Sequence, residues 1–173
     1  MTCLLMVIPP KNFRDEELFE TRTALEWAGH RTVLASTKTG LCPGSRGGAA
    51  KVELLLQSAR PEDYDGIVFV GGSGSPELFQ NPETLALAAA MHKQGKVIAA
   101  ICLAPVILAN AGVLAGRRAT VSGSEAATIQ SKGAIYTGSA VTVDGNVVTG
   151  NGPKASKEFA QSIDALLRQR QAA

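Results

Sequence analysis

Apolar residues in this chain come in short unbroken runs, separated by longer stretches in which they recur every three or four positions. The run over 3–8 reads as a strand covered on both faces, because a half-exposed strand would alternate with polar residues. The spacing then predicts a helix over 16–27, with Leu18, Phe19, Ala24, Leu25 and Ala28 on its apolar stripe and Gly29 as its stop. Further strands are expected over 32–35, over 67–70 after the turn Tyr64-Asp65-Gly66, and over 96–101. A helix over 82–94, ending at Gly95, falls between the last two. Downstream the pattern gives a strand at 119–122, a short helical piece from Ser124, and an amphipathic helix over 154–170. Between them 141–143 and 146–148 flank Asp144-Gly145, a strong short hairpin signal. The segment 41–57 stays open: Cys42-Pro43-Gly44-Ser45-Arg46-Gly47-Gly48 is rich in turn residues, and 52–56 suits a short strand or a hairpin arm. Alternating strands and helices with doubly covered strands predict a doubly wound α/β sandwich with a mostly parallel sheet.

Composition narrows the chemistry. The 173 residues fit one domain, and 45% apolar with 18% charged content describes a folded chain. With 17 basic and 15 acidic side chains the net charge is +2, which gives no electrostatic basis for binding nucleic acid or an anionic membrane. Residues 97–114 carry no charge, but Pro105, Asn110 and Gly112 interrupt them and alanines dilute them, so a membrane span is not expected. The N-terminus is apolar without a basic leader and runs into Pro9-Pro10, which argues against a signal peptide. Cys3, Cys42 and Cys102 show no paired spacing, so free thiols in a reducing cytoplasm are expected. With two histidines, His30 and His92, a structural zinc site is hard to build and no metal is expected.

Ligands of open α/β sheets bind beyond the carboxyl ends of the strands. Three places there carry candidate chemistry. Cys102 follows the strand over 96–101 and precedes Pro105, a suitable first-turn residue, so it sits where a strand bends sharply into a helix. Position alone leaves Cys102 two readings, a reactive thiolate or a buried structural cysteine. Glu17, in Phe13-Arg14-Asp15-Glu16-Glu17-Leu18, could donate a hydrogen bond to such a thiolate if burial kept it protonated; its alternative is a solvated carboxylate at a helix N-terminus. Gly71-Gly72-Ser73-Gly74-Ser75-Pro76 could turn backbone N–H groups toward an anion, or could simply be a tight turn. It matches neither a dinucleotide nor a nucleotide phosphate motif. His30 and His92 both fall on the opposite, amino-end side, where they are expected as surface or capping side chains.

Together, Glu17 after the first strand, Gly71-Gly72 after the third and Ala99-Ala100-Ile101-Cys102 at the bend resemble the DJ-1/PfpI superfamily, of class I glutamine amidotransferase-like fold, over essentially the whole chain. Leu108-Ala109-Asn110-Ala111-Gly112-Val113-Leu114 and Gly150-Asn151-Gly152-Pro153 extend the match. The resemblance implies a flavodoxin-like three-layer sandwich with a nucleophile elbow, usually a homodimer, needing no cofactor. It implies Cys102 as the thiolate, Glu17 as its protonated partner, and Gly71, Gly72 and Leu103 around a developing oxyanion. Departures matter as well. PfpI-type peptidases carry histidine at the position of Leu103, and DJ-1-like members often have one where this chain has Ser122. Arg14 replaces a common glutamate and Asn151 a common arginine. Unless a partner subunit supplies His30 or His92, a histidine-dependent peptidase is disfavoured. The expected function is cofactor-independent glyoxalase or deglycase chemistry on a small dicarbonyl or a glycated protein. The alternatives are a redox sensor acting through Cys102 oxidation, or a scaffold without turnover.

Overall fold

The computed structural model describes residues 1–172. Its strands in chain order are β1 (Cys3–Val7), β2 (Arg31–Ser36), β3 (Gly40–Pro43), β4 (Ala49–Val52), β5 (Leu54–Leu55), β6 (Gly66–Phe69), β7 (Val97–Ile101), β8 (Arg118–Ala119), β9 (Ile135–Tyr136), β10 (Val141–Asp144) and β11 (Val147–Gly150). The helices are α1 (Asp15–Trp27), α2 (Pro82–Lys93), α3 (Pro105–Asn110), α4 (Ala126–Ser131) and α5 (Ser156–Ala172). Seven strands form the central sheet in the order β10-β11-β7-β6-β1-β2-β5. Every pair in it is parallel except the edge hairpin β10–β11.

The unbroken apolar strands have the cause their sequence implies: successive residues face opposite cores. Leu4, Met6 and Ile8 join Val68, Val70, Ala99 and Ile101 against Leu18 and Leu25 of α1 and Phe159, Ile163 and Leu167 of α5. Leu5 and Val7 join Ile67, Phe69, Ile98 and Ala100 against Leu87 and Met91 of α2 and Ile107 and Leu108 of α3. The result is the mostly parallel, three-layer α/β sandwich expected. The order reverses at β1, with β2 on one side and β6 on the other, so a crevice opens where β1 and β6 end.

Several local expectations shift. The open segment resolves into both of its readings. Ala49–Val52 pairs with Gly40–Pro43 as a hairpin, and Leu54–Leu55 forms the edge strand β5. At the β10–β11 hairpin the loop is Gly145-Asn146 and not Asp144-Gly145, because Asp144 still pairs with Val147 and Gly145 takes the positive φ of +60°. The strand expected at 119–122 is only Arg118–Ala119; beyond it the Thr120 N–H turns to the Thr149 hydroxyl and Ser122 N–H to the Cys102 carbonyl.

His30 is not a surface side chain. It is buried, donating or accepting at Nδ1 with the Thr2 hydroxyl and lying 2.7 Å from Asp164 Oδ1 through Nε2. Partial burial alone would raise the Asp164 carboxyl, but its hydrogen bonds from His30 and Arg168 together hold it below the usual range. This clasp ties the start of β1, the α1–β2 corner and α5 together. His92 lies in the last turn of α2, half-buried, at the same amino-end side of the sheet. Among the described residues, no helix is long and apolar enough to cross a membrane.

Candidate active site at the β7 bend

Cys102 stands at the sharp turn between β7 and α3 with φ +66°, one of two non-glycine residues in the left-handed region among the described residues. A side chain there is strained, and such strain persists only where neighbours over-determine it. Here they do. The Cys102 N–H donates to the Gly150 carbonyl at 2.9 Å, and the Cys102 carbonyl accepts from Ser122 N–H at 2.8 Å. The backbone N–H groups of Leu103 and Gly72 are directed at the sulfur and favour its thiolate. Pro105 opens the first turn of α3, as its position after the bend predicts.

Glu17 is fully buried in the first turns of α1. The inner face of that helix runs through Glu17, Thr21 and Leu25, one residue per turn, with Leu18 beside them. Phe19, Ala24 and Ala28, expected on the stripe, are only partly buried. Two polar residues on the buried face hid its true register from a hydrophobic count. The Glu17 carboxyl faces Cys102 and the N–H of Gly71, and neither contact closes into a hydrogen bond of standard geometry in this conformation. Burial pushes the carboxyl up to about 7, against opposing pulls from Cys102, Arg14 and the Gly71 amide. Burial also pushes the Cys102 thiol up, to about 12, and the negative charge of Glu17 adds to the rise. Both shifts have one origin: the pocket tolerates one negative charge, and two groups compete for it. When Glu17 keeps its proton the repulsion vanishes, and the amides of Leu103 and Gly72 are left to stabilise sulfur.

The diglycine is required by close approach. A Cβ on Gly71 would lie 2.6 Å from the Ile101 carbonyl and 2.8 Å from both Cys102 Cβ and Glu17 Oε1. Gly72 adopts φ +115°, and a Cβ there would meet Arg14 N at 2.4 Å. Arg14 N–H donates to the Gly71 carbonyl at 3.0 Å and Gly74 N–H to the Asn12 carbonyl at 3.0 Å, which sews the β1–α1 loop to the diglycine loop. Gly71 therefore holds Glu17 and the loop, whereas Gly72 and Leu103 line the open cleft beside Cys102.

That cleft, of about 340 Å³, is also lined by Arg14, Ser45, Arg46, Ser73 and Ser122. Of the residues beyond the expected set, Ser45 and Arg46 come from the turn-rich segment whose fold the sequence left open. Asp15 holds their loop in place, its carboxylate accepting from Arg46 N–H at 3.0 Å and Gly48 N–H at 2.7 Å. The signal for this contact is long-range, linking residues 31 positions apart, and no local pattern exposes it. Neither histidine reaches the cleft, and exposed Asn151 is not among its lining residues.

Comparison with known proteins agrees with this geometry. The DJ-1/PfpI family model matches residues 3–165. An uncharacterized protein of Methanocaldococcus jannaschii is 43% identical over 163 residues, covering 92% of this chain and 80% of that one. A Pyrococcus horikoshii protein named a deglycase is 32% identical over 164 residues, covering 95% of this chain and 99% of its own. Among solved structures, a ThiJ/PfpI domain protein from Brachyspira murdochii superposes with a TM-score of 0.95 at 34% identity, over 96% of each chain. A buried glutamate, a diglycine loop and a strained cysteine bend, met in one crevice of a flavodoxin-like sandwich and matched along nearly the whole length, make this chain a member of the DJ-1/PfpI family.

Proposed function

We propose that the protein is a cofactor-independent glyoxalase- or deglycase-type enzyme in which Cys102 is the nucleophile and Glu17 the proton carrier. The observation that carries this reading is the fully buried Glu17 facing a cysteine held in the left-handed region. The deglycase name borne by the Pyrococcus horikoshii relative supports the substrate class.

The chemistry balances without an external oxidant. The Cys102 thiolate adds to the aldehyde carbon of an α-oxo aldehyde, forming a C–S bond, and the new oxyanion lies against the N–H groups of Gly72 and Leu103. The proton held by Glu17 neutralises it, giving a hemithioacetal. Glu17, now a carboxylate, removes the former aldehyde C–H proton and returns it to the adjacent carbon, while the hydroxyl proton of the first carbon passes to the oxygen of the second. The first carbon is thereby oxidised to a thioester as its neighbour is reduced to an alcohol. Water hydrolyses the thioester, breaking the C–S bond and releasing a 2-hydroxy acid and the free thiol. A single acid–base group of this kind contributes roughly 10²–10⁴ in rate. The folded protein is expected to make lactate from methylglyoxal, and Cys102→Ser to abolish it; equal turnover by that variant overturns the reading.

A second reading rests on the same pair. A partly exposed cysteine beside a protonated acid suits oxidation to sulfinic acid, which that acid would stabilise by a hydrogen bond. Mild peroxide should then add two oxygens to Cys102 ahead of Cys3 and the buried Cys42, and simultaneous oxidation of all three contradicts it. A homodimer and a small carbonyl substrate or glycated protein complete the proposal.

A further inference from the structure

The wall of the Cys102 cleft is unusual in its charge. Its polar side chains are two guanidiniums, from Arg14 and Arg46, three hydroxyls, from Ser45, Ser73 and Ser122, and the thiol; no carboxylate lines it. Arg14 is oriented by Glu16, which accepts from Nε at 2.6 Å. Among the described residues no acceptor bonds the terminal nitrogens of Arg14 or any side-chain nitrogen of Arg46. The nearby acids are otherwise occupied. Glu17 is sealed behind Gly71, and Asp15 spends both its oxygens on the amides of Arg46 and Gly48. Arg46 is thus fixed by its backbone at the rim with an unpaired guanidinium, on a loop that also hydrogen-bonds Ser45 N–H to the Phe13 carbonyl at 2.8 Å.

A neutral dicarbonyl needs only the nucleophile, the amides and a proton carrier. It makes no use of two guanidiniums, whose planar forks match a carboxylate. We propose that Arg14 and Arg46 are specificity residues, and that the site selects α-oxo aldehydes that carry a carboxylate at the end remote from the aldehyde. This rests on the reading of Cys102 as the nucleophile toward dicarbonyls. The aldehyde lies at Cys102 with its oxyanion toward Gly72 and Leu103, while the carboxylate reaches the arginine side of the cleft. The product is the corresponding 2-hydroxy diacid, formed by the same redox-neutral addition of water.

Two measurements separate this from the underlying reading. In the first, γ,δ-dioxovalerate is compared with its methyl ester, a neutral substrate of similar shape. The acid is expected to have the higher kcat/KM, with the advantage cut roughly tenfold in Arg46→Gln, mainly through KM, and largely kept in Arg46→Lys. In the second, no turnover is needed: alkylation of the Cys102 peptide by iodoacetate is compared with alkylation by iodoacetamide. The iodoacetate-to-iodoacetamide rate ratio should be higher in the folded protein than after unfolding, should fall with added salt, and should drop in Arg46→Gln and Arg14→Gln. A ratio unchanged by folding, salt and both substitutions overturns the charge selection, whatever the enzyme turns over. A strong iodoacetate preference with no dicarbonyl consumed upholds the charge selection and overturns the proposed reaction. Equal kcat/KM for acid and ester leaves the reaction standing and overturns the selection.

Discussion

Glu17 and Cys102 meet across Gly71, where a single added Cβ would lie 2.8 Å from Glu17 Oε1 and 2.8 Å from Cys102 Cβ. Three chain segments far apart in sequence converge on that point: the start of α1, the end of β6 and the end of β7. The parallel register of β1, β6 and β7 brings their carboxyl ends level, which is why the convergence occurs at the crevice and not elsewhere on the sheet.

Gly71→Ala should therefore separate the pair. The methyl group cannot be accommodated by a flexible side chain alone, because the Ile101 carbonyl stands 2.6 Å away. Overpacking of this kind costs about 1–3 kcal/mol, and the displaced Glu17 should slow Cys102 alkylation at neutral pH. Urea denaturation and alkylation rates on the same sample check both. A variant of native stability and reactivity would show that the close approach is not limiting.

Glu17 should also tie stability to pH. Its carboxyl titrates at about 7 when folded, against an ordinary value of 4.5. Between those values the unfolded chain has lost the proton and the folded chain keeps it, so folding stability falls as pH rises through this window. The loss is on the order of 3 kcal/mol at about 1.4 kcal/mol per pH unit, and it is constant above the folded value. Glu17→Gln should flatten this slope and denature at higher temperature than the parent protein near pH 8. Parallel stability–pH curves for the two proteins would show that Glu17 is not held protonated by the fold.

At the far end of the sheet, His30→Ala should remove the clasp between Thr2 and Asp164. It leaves the Thr2 hydroxyl and the Asp164 carboxylate without their imidazole partner, a loss of about 2–3 kcal/mol. Because His30 lies at the amino ends of the strands, Cys102 alkylation should keep its parent rate. Thermal denaturation with parallel alkylation kinetics distinguishes a structural clasp from a catalytic imidazole; slowed alkylation in a well-folded variant would give His30 a role in the site.

The sheet and the bend were legible in the sequence because their causes are local. Unbroken apolar runs followed by Gly71-Gly72 or by Cys102 and Pro105 mark doubly covered strands that end in tight turns. The burial of Glu17 was not legible from periodicity, since Thr21 shares its face and breaks the apolar stripe. Here the resemblance, and not the pattern, named the residue. Arg46 and His30 were misplaced or missed for one reason. Their surroundings are made by Asp15 and by Asp164, the latter 134 positions away, and such contacts leave no trace in neighbouring residues. The hairpin loop moved by one residue because Gly145, and not Asp144, takes the positive φ.

The shared proton of Glu17 and Cys102 is tested most directly by the pH dependence of Cys102 alkylation, followed by mass spectrometry of its peptide in the parent protein and in Glu17→Gln. In the parent, reactivity should rise as the pair loses its first proton, with an inflection near the value of about 7 to which Glu17 is pushed. In Glu17→Gln no carboxylate competes for the charge, and burial and the amides of Leu103 and Gly72 alone set the thiol, so the break near that value should vanish and above it the variant should alkylate faster than the parent. Superimposable profiles for the two proteins would contradict a proton shared between Glu17 and Cys102.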